Sequence, residues 1–197
     1  MTTAYIALGS NLGERAAHLR GALAALQRDG EVRVVAQSAV YETAPVGGPA
    51  QPDYLNMVVA VETELGADPL LERCLAVEAE HGRVRRERWG PRTLDLDLLC
   101  YGEIARATER LTLPHPRMAE RAFVLVPLAE VAPALKIGDV TVAELATRSN
   151  RAGLHRLGPL ADVGEGRASR PRRAESDAAH PFSLRKNLRE GPPRLGG

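Results

Sequence analysis

Residues 94–101 read Leu-Asp-Leu-Asp-Leu-Leu-Cys-Tyr. Strict alternation of an apolar with an acidic residue fits one local structure. Successive side chains of a β-strand point to opposite faces, so Leu94, Leu96 and Leu98 share one face and Asp95 and Asp97 the other. The leucine face needs a core to enter, so the chain must supply a sheet and a layer packed against it.

What precedes this strand is unusual. Arg83, Arg85, Arg86, Arg88 and Arg92 fall within ten residues, broken by Trp89 and turned by Gly90-Pro91. The choice of arginine is chemical, because lysine occurs only at Lys136 and Lys186. Arginine's planar fork grips phosphate through two hydrogen bonds and stays charged when water is excluded. Two hard carboxylates one residue apart suit Mg²⁺, which takes one or two carboxylates and leaves waters and phosphate oxygens to complete its octahedron. On its own the alternation is ordinary edge-strand patterning with a solvated acidic face. Beside five arginines it points to a metal–polyphosphate complex, which uses both signs of charge at once. Phosphoryl-type transfer is carried by positioning and charge stabilisation, and a mobile arginine loop next to such a pair can do both. Trp89 would cover a planar group or close that loop.

The rest of the chain alternates strand and helix signals. Thr3–Leu8 reads as a strand. Gly13–Leu26 places Ala17, Leu19, Leu23 and Leu26 at helical spacing, with Asn11 as a cap. Glu31–Thr43 is valine-rich and alternating, hence a strand. Ala44–Pro52, with three prolines and two glycines, is a loop. Tyr54–Leu65 is a strand, and Asp68-Pro69 caps and opens a helix reaching about His81. Leu94–Tyr101 is followed by a hairpin turn at Gly102-Glu103. Met118–Val131 is mostly helical with Pro127 a local irregularity, and Val140–Arg148 is a short helix. The order β-α-β-β-α-β predicts an α+β, ferredoxin-like sandwich with a mainly antiparallel sheet.

Of 197 residues, 44% are hydrophobic, enough for a core. Composition shifts near Leu160: eight of the 26 basic and five of the 25 acidic residues lie in 160–197, with frequent proline and glycine. Residues 160–197 are therefore expected to be a polar, disordered tail behind a folded domain of residues 1–159. The first 159 residues keep 18 basic and 20 acidic side chains, so bulk charge predicts no nucleic-acid partner. Cys74 and Cys100 sit in apolar surroundings and read as buried thiols rather than a disulfide frame. The N-terminus lacks a signal-peptide pattern and no run reaches membrane-spanning length. A cytoplasmic, membrane-free monomer is expected.

Other polar positions gain meaning by placement. Gly9-Ser10-Asn11-Leu12-Gly13 opens a helix after a strand but lacks the phosphate-loop signature. Thr43, Tyr54 and Asn56 flank the Pro/Gly loop. Tyr54 and Asn56 share a strand face, so a ring and an amide could meet a flat heterocycle. His115 is held between Pro114 and Pro116, six residues before Arg121 and ahead of Phe123, and could donate to phosphate.

Four blocks in register now resemble a known family: GSNLGER, YETAPVGGPAQPDYLN, GRVRRERWGPRTLDLDLLCYG and LTLPHPRMAERAFVLVPLAEVAP, together spanning about residues 3–135. The chain resembles the 6-hydroxymethyl-7,8-dihydropterin pyrophosphokinases of folate biosynthesis. The resemblance implies transfer of pyrophosphate from ATP to the pterin hydroxymethyl group, with AMP leaving. It implies that Asp95 and Asp97 hold two Mg²⁺ ions. It implies that Arg83, Arg92, His115 and Arg121 contact the triphosphate, that Arg85 assists from the loop, and that Glu78 sits by the nucleotide. Of these, Arg83, Arg92, Asp97 and His115 are the expected catalytic groups. The pterin would lie between Tyr54 and Phe123, with Asn56 and the backbone near Thr43, Ala44 and Val46 reading its polar edge, under Trp89. Ala119 and Leu75 depart from the family pattern, away from the metal and the arginines. Two other classes are compatible with the residues: a different Mg-ATP phosphoryl transferase, and a nucleic-acid module using the arginine loop.

Overall fold

The structure, a computed structural model, describes residues 1–45, 50–83 and 90–164. The first seven elements are β1 (Thr2–Ser10), α1 (Arg15–Gln27), β2 (Val32–Gln37), β3 (Val40–Thr43), β4 (Tyr54–Thr63), α2 (Ala67–Glu80) and β5 (Asp95–Tyr101). They follow the anticipated β-α-β-β-α-β order except that its second strand is two, β2 and β3. The fold is α+β, with a mainly antiparallel sheet in the order β10-β3-β4-β1-β5, and β2 also pairing β4. The β10 strand (Leu154–Gly158) is added at the edge beside β3.

The expected single strand over 31–43 is two, because Ser38 and Ala39 break its regular pairing with β4. Ser38 holds the break together: its backbone N–H donates to Val58 O (2.9 Å) and its Oγ accepts from Val58 N (2.9 Å). Alternation along the strands builds two cores. Ile6, Leu8, Val59, Leu94, Leu96 and Leu98 face α1 and α2, meeting Leu19, Leu26, Leu70 and Val77. On the opposite face Val58, Leu99 and Cys100 meet Met118, Val124 and Leu128, the last two from α3 (Ala122–Val131). Both cysteines are buried and unpaired.

Several local expectations are corrected. Asn11 does not cap α1; Glu14 holds the cap position without a side-chain bond, and Asn11 is occupied by distant partners. Asp68 lies inside α2, which starts at Ala67 behind Gly66, and it pairs with Arg106 at 2.8 Å. A turn does form at Gly102, but it makes no hairpin on β5. The next strand, β6 (Arg106–Ala107), pairs instead with β7 (Thr112–Leu113). The helical stretch 118–131 divides at Arg121, whose backbone is extended between a short 3₁₀ turn and α3.

After α3, a small hairpin of β8 (Lys136–Ile137) and β9 (Val140–Thr141) leads into α4 (Val142–Arg148). A capping box starts α4: Thr141 Oγ1 accepts from Glu144 N and Glu144 Oε2 accepts from Thr141 N. Glu130 of α3 ties the added edge to the sheet, accepting from Ala39 N and Tyr41 Oη at 2.6 Å each and from Arg156 Nε at 3.2 Å. No helix among the described residues is long and apolar enough to cross a membrane.

The described chain continues past residue 159. Leu160 is 6% exposed within the core under α1 and α2, and Arg20 of α1 donates to Val163 O at 3.2 Å. Leu160→Ala is expected to cost about 2–3 kcal/mol through lost transfer energy and a cavity. Urea unfolding checks it, and a change below about 0.5 kcal/mol, as for an ordinary surface site, would place this turn outside the fold.

Candidate active site

The sheet face that carries α3 is only partly covered. Where α3 begins, β1, β3, β4 and β5 run on beneath an open cavity of about 770 Å³. Strand alternation decides what reaches it. On β4, Tyr54 and Asn56 precede Val58 on the α3 face; on β5, Asp95 and Asp97 occupy the same face. The β1–β5 register sets Gly9 opposite Asp95 and Ala7 opposite Asp97. Small residues are required there. A Cβ at Gly9 would lie 3.0 Å from Asn56 Oδ1 and 4.0 Å from Asp95 Cβ.

The acidic pair sits in a shell of guanidinium groups. Arg92 Nη1 hydrogen-bonds Asp95 Oδ2 at 2.5 Å. Arg83 Nη1 is 2.7 Å from Asp95 Oδ1 and also pairs closely with Glu78. The Arg83–Asp95 contact lacks hydrogen-bond geometry, so Asp95 Oδ1 is buried without a hydrogen-bond donor. Arg121 Nη1 stands 3.7 Å from Asp97 Oδ2. Burial raises the Asp97 pKa, and the Asp95 charge raises it further, against the pull of His115 and two arginines.

Glu78 is the least exposed charge in the site, at 3%. It projects from α2 behind β5 rather than lining the cavity. It accepts from Leu96 N at 2.7 Å, between the two aspartates in sequence, and holds Arg83. Burial pushes its carboxyl up to about 7, with the two aspartate charges adding to the rise and the Leu96 N–H and Arg83 opposing it.

His115 enters on the segment after β7. Its backbone N–H donates to Leu99 O at 2.8 Å. Leu99 is the extra residue where β5 slips register against β1, between the pairs Ile6–Leu98 and Tyr5–Cys100. Burial lowers the His115 pKa, so the ring is held toward its neutral form. Arg117 N donates to its Nδ1 at 3.2 Å, which leaves Nε2 carrying the proton as a donor.

Across Gly9 from Asp95, Asn56 Nδ2 donates to Thr43 Oγ1 at 2.7 Å, orienting the amide. Phe123 opens α3, with the Arg121 guanidinium 5.6 Å from its ring centroid. The expected residues Thr43, Ala44, Tyr54, Asn56, Arg92, Asp95, Asp97, His115, Arg121 and Phe123 thus line one cavity, and Arg83 contacts it through Asp95. Val46, Arg85, Arg86, Arg88 and Trp89 lie outside the described residues. Sequence reasoning missed Gly9 as the cavity floor, Gln51, Glu120 and Asn150 on its walls, and Arg15. Buried Arg15 holds the ends of the Pro/Gly loop, donating to Asp53 O at 2.7 Å and Glu42 Oε1 at 3.0 Å. The GSNLGER block was the available signal for Gly9 and Arg15.

The donor set fits magnesium. Two carboxylates share a strand face, one has a buried oxygen without a donor, and no cluster of three His, Cys, Asp or Glu ligands occurs among the described residues. An ion that keeps waters and phosphate oxygens needs no more protein ligands than that.

A sequence model of the family 7,8-dihydro-6-hydroxymethylpterin-pyrophosphokinase (HPPK) matches residues 5–133. This chain belongs to the HPPK family. It is similar to the 2-amino-4-hydroxy-6-hydroxymethyldihydropteridine pyrophosphokinase of Methylorubrum extorquens, 51% identical over 157 residues, covering 80% of this chain and 99% of that protein. The Bacillus subtilis protein of the same name is 52% identical over 128 residues, covering 65% of this chain and 77% of its own length. Among solved structures, Plasmodium falciparum HPPK-DHPS shares the fold, with a TM-score of 0.57 at 13% identity over 75% of this chain. The chain spans 43% of that longer protein.

The raised Glu78 pKa has a sign that can be tested. An acid whose folded-state pKa lies above its unfolded value of 4.5 favours the folded state below that value. Its contribution is lost as pH rises toward about 7. Relative to the wild type, Glu78→Gln should therefore gain stability between pH 5 and 7.5 in thermal melts. A parallel pH dependence of the two proteins would remove Glu78 as the responsible group.

Proposed function

We propose that this chain transfers the pyrophosphoryl group of ATP to the hydroxymethyl group of 6-hydroxymethyl-7,8-dihydropterin, releasing AMP, as a monomer in the cytoplasm. The observation that carries the reading is one cavity with two contrasting linings. An acidic pair ringed by arginines lies beside an aromatic and amide wall of Tyr54, Asn56 and Phe123. The buried, unpaired cysteines support a reducing compartment.

Asp95 and Asp97 would hold Mg²⁺, two ions by the family pattern. When bound, the metal neutralises phosphate charge and aligns the attacking and leaving oxygens. The chain's own groups do the rest. Three carboxylates, Glu78, Asp95 and Asp97, face three guanidinium groups, Arg83, Arg92 and Arg121. Among the described residues these charges balance, so a ligand that replaces these pairs must bring both signs. A magnesium–nucleotide complex does so: cation to the aspartates, phosphate oxygens to the arginines. Arg83, Arg92 and Arg121 then stabilise the charge that develops on the oxygen bridging the α- and β-phosphorus as AMP leaves. His115, neutral with the proton on Nε2, donates a hydrogen bond to phosphate without adding a fixed charge. α3 directs its N-terminal end, the positive end of its dipole, to the same cavity. Asp97 is the proposed acceptor for the proton of the attacking hydroxyl.

The pterin would stack between Tyr54 and Phe123, its polar edge read by Asn56 and the backbone around Thr43 and Ala44. Val46, Arg85 and Trp89 complete this proposal from the loops, with Trp89 as cover. Residues beyond Gly164 are proposed as a polar tail outside the catalytic domain.

Incubation with Mg²⁺, ATP and the hydroxymethyl dihydropterin tests the reading by its nucleotide product. AMP supports it, and ADP would assign another phosphoryl transfer. Asp95→Ala and Asp97→Ala should each lower turnover by about a hundredfold or more, the size of a several-kcal/mol metal contribution. Asn56→Ala should raise the pterin KM while leaving the ATP KM nearly unchanged. Near-normal turnover in either aspartate variant would defeat the metal assignment.

A further inference from the structure

Arg83 carries a guanidinium whose place depends on a helix end. It lies two residues past His81, the C-cap of α2, and its backbone is fastened to the last turn. Arg83 N donates to Glu78 O at 3.1 Å and Gly82 N to Ala79 O at 3.0 Å, with Gly82 left-handed at φ 71°. The side chain then returns to Glu78 and stands 2.7 Å from Asp95. A phosphate that takes this guanidinium replaces the two carboxylates. The backbone at the end of α2 is then what keeps the group in place.

That turn is fastened to α1 by the side chain of His81. Its ring lies on Gly21: a Cβ there would be 2.5 Å from His81 Cε1 and 3.1 Å from Nε2. Glycine is unfavourable inside a helix, so α1 gives up helix stability at the point where the ring sits. His18, three residues earlier on the same face of α1, closes the other side. The two rings meet edge to face, centroids 5.6 Å apart at 80°, with Nδ1 3.4 Å from Nδ1. Apolar packing between the helices is supplied elsewhere, by Leu19, Leu26, Leu70 and Val77.

We infer that His81, locked between Gly21 and His18, is a positioning residue for Arg83: it holds the last turn of α2 where the guanidinium can pass from Asp95 to a phosphate. This rests on the proposed reaction for the identity of the nucleotide. A contact through two Nδ1 atoms holds when one carries a proton and the other accepts it, so the pair tolerates two neutral rings or one cation. Two cations turn two N–H groups against each other. Burial, then the charge on His81, lowers the His18 pKa, against Glu14 one turn before it on α1. On α2, Glu80 faces His81 and is itself paired with Arg28, at the end of α1, at 2.8 Å. A histidine whose folded pKa lies below its ordinary 6.5 is most stabilising above that value and less so as pH falls below it. The hold on His81 therefore loosens in acid.

Nucleotide binding tests this. The proposed attack breaks the bridge between the α- and β-phosphorus, so α,β-methylene-ATP with Mg²⁺ is the inert probe. Its Kd is measured by calorimetry from about pH 7.5 to about pH 5.5, beside a thermal melt of each protein. At the upper pH His81→Ala should weaken the probe about tenfold, the size of one well-placed charged hydrogen bond. Gly21→Ala should do the same by displacing the ring, although alanine is the better helix former and would otherwise stabilise α1. The double variant should bind as His81→Ala does and melt above it, since the added methyl then meets no ring. His18→Asn keeps a polar neighbour for His81 and has no proton to gain. Between the two pH values the wild type should lose about fivefold more affinity than this variant.

Wild-type affinity in His81→Ala or in Gly21→Ala overturns the inference. So does the same pH profile in the wild type and His18→Asn. A double variant that recovers nucleotide affinity along with its melting temperature would make His81 a packing residue and overturn it too. A wild type that binds no nucleotide removes the proposed function and this role together, while binding that ignores His81 removes only the role.

Discussion

The pairing of β1 with β5 is the constraint on which the site depends. Its register, Gly9 with Asp95, Leu8 with Leu96 and Ala7 with Asp97, puts the leucines of both strands into one core and the two aspartates on the opposite face. A slip of one residue would bury the carboxylates among Leu19, Leu70 and Val77 and expose the leucines. The cost of burying unpaired charge is therefore what guards the orientation of the acidic pair. The same strand slips register once, at Leu99, and that irregularity frees the carbonyl that receives His115. Core packing and catalytic placement are settled by one strand.

Charge balance follows from that platform. Glu78 accepts from Leu96 N, on the leucine side of the strand, and reaches Arg83, which in turn contacts Asp95. A buried carboxylate behind two others would be costly alone, and its raised pKa records that cost. The arginines make it tolerable, and they are also the groups a polyphosphate would claim. The site is thus a set of internal ion pairs that a ligand carrying both signs can exchange for external ones. A ligand of a single sign would leave either carboxylates or guanidinium groups unpaired and desolvated.

Much of this was legible in the chain. Apolar runs located β1 and β4, period-two alternation located β5, and the D-x-D pattern located the acidic pair with its facing. The Arg–Asp contacts could be anticipated from proximity in sequence, since Arg92 and Asp95 are three residues apart. What alternation could not show was anything depending on distant backbone. Asn11 looked like a helix cap because cap chemistry and long-range bridging use the same amide. Gly9 looked like a turn glycine, and its role as floor appears only when Asn56 lies beside it. β10 was missed because Leu154–Gly158 carries little apolar pattern and is held by edge pairing and by the Arg156–Glu130 bond. Leu160 was placed in the tail by its polar neighbours, yet one leucine suffices to anchor a turn when Arg20 holds the carbonyls around it.

The break at Arg121 shows how one segment brings two unlike groups to the same cavity. A continuous helix from Met118 to Val131 would distribute Arg121 and Phe123 around its circumference, about 200° apart at two residues' separation. The extended backbone at Arg121 ends that constraint. Arg121 can then lean over Asp97 while Phe123, at the start of α3, still faces the same space and receives the guanidinium 5.6 Å from its ring centroid. One interrupted element thus supplies a guanidinium group and an aromatic ring to the same cavity. Their spacing is set by two residues of backbone rather than by the packing of separate elements. That is a stiff arrangement, and under the proposed reaction it is what would let a single cavity hold two different substrates within reach of each other.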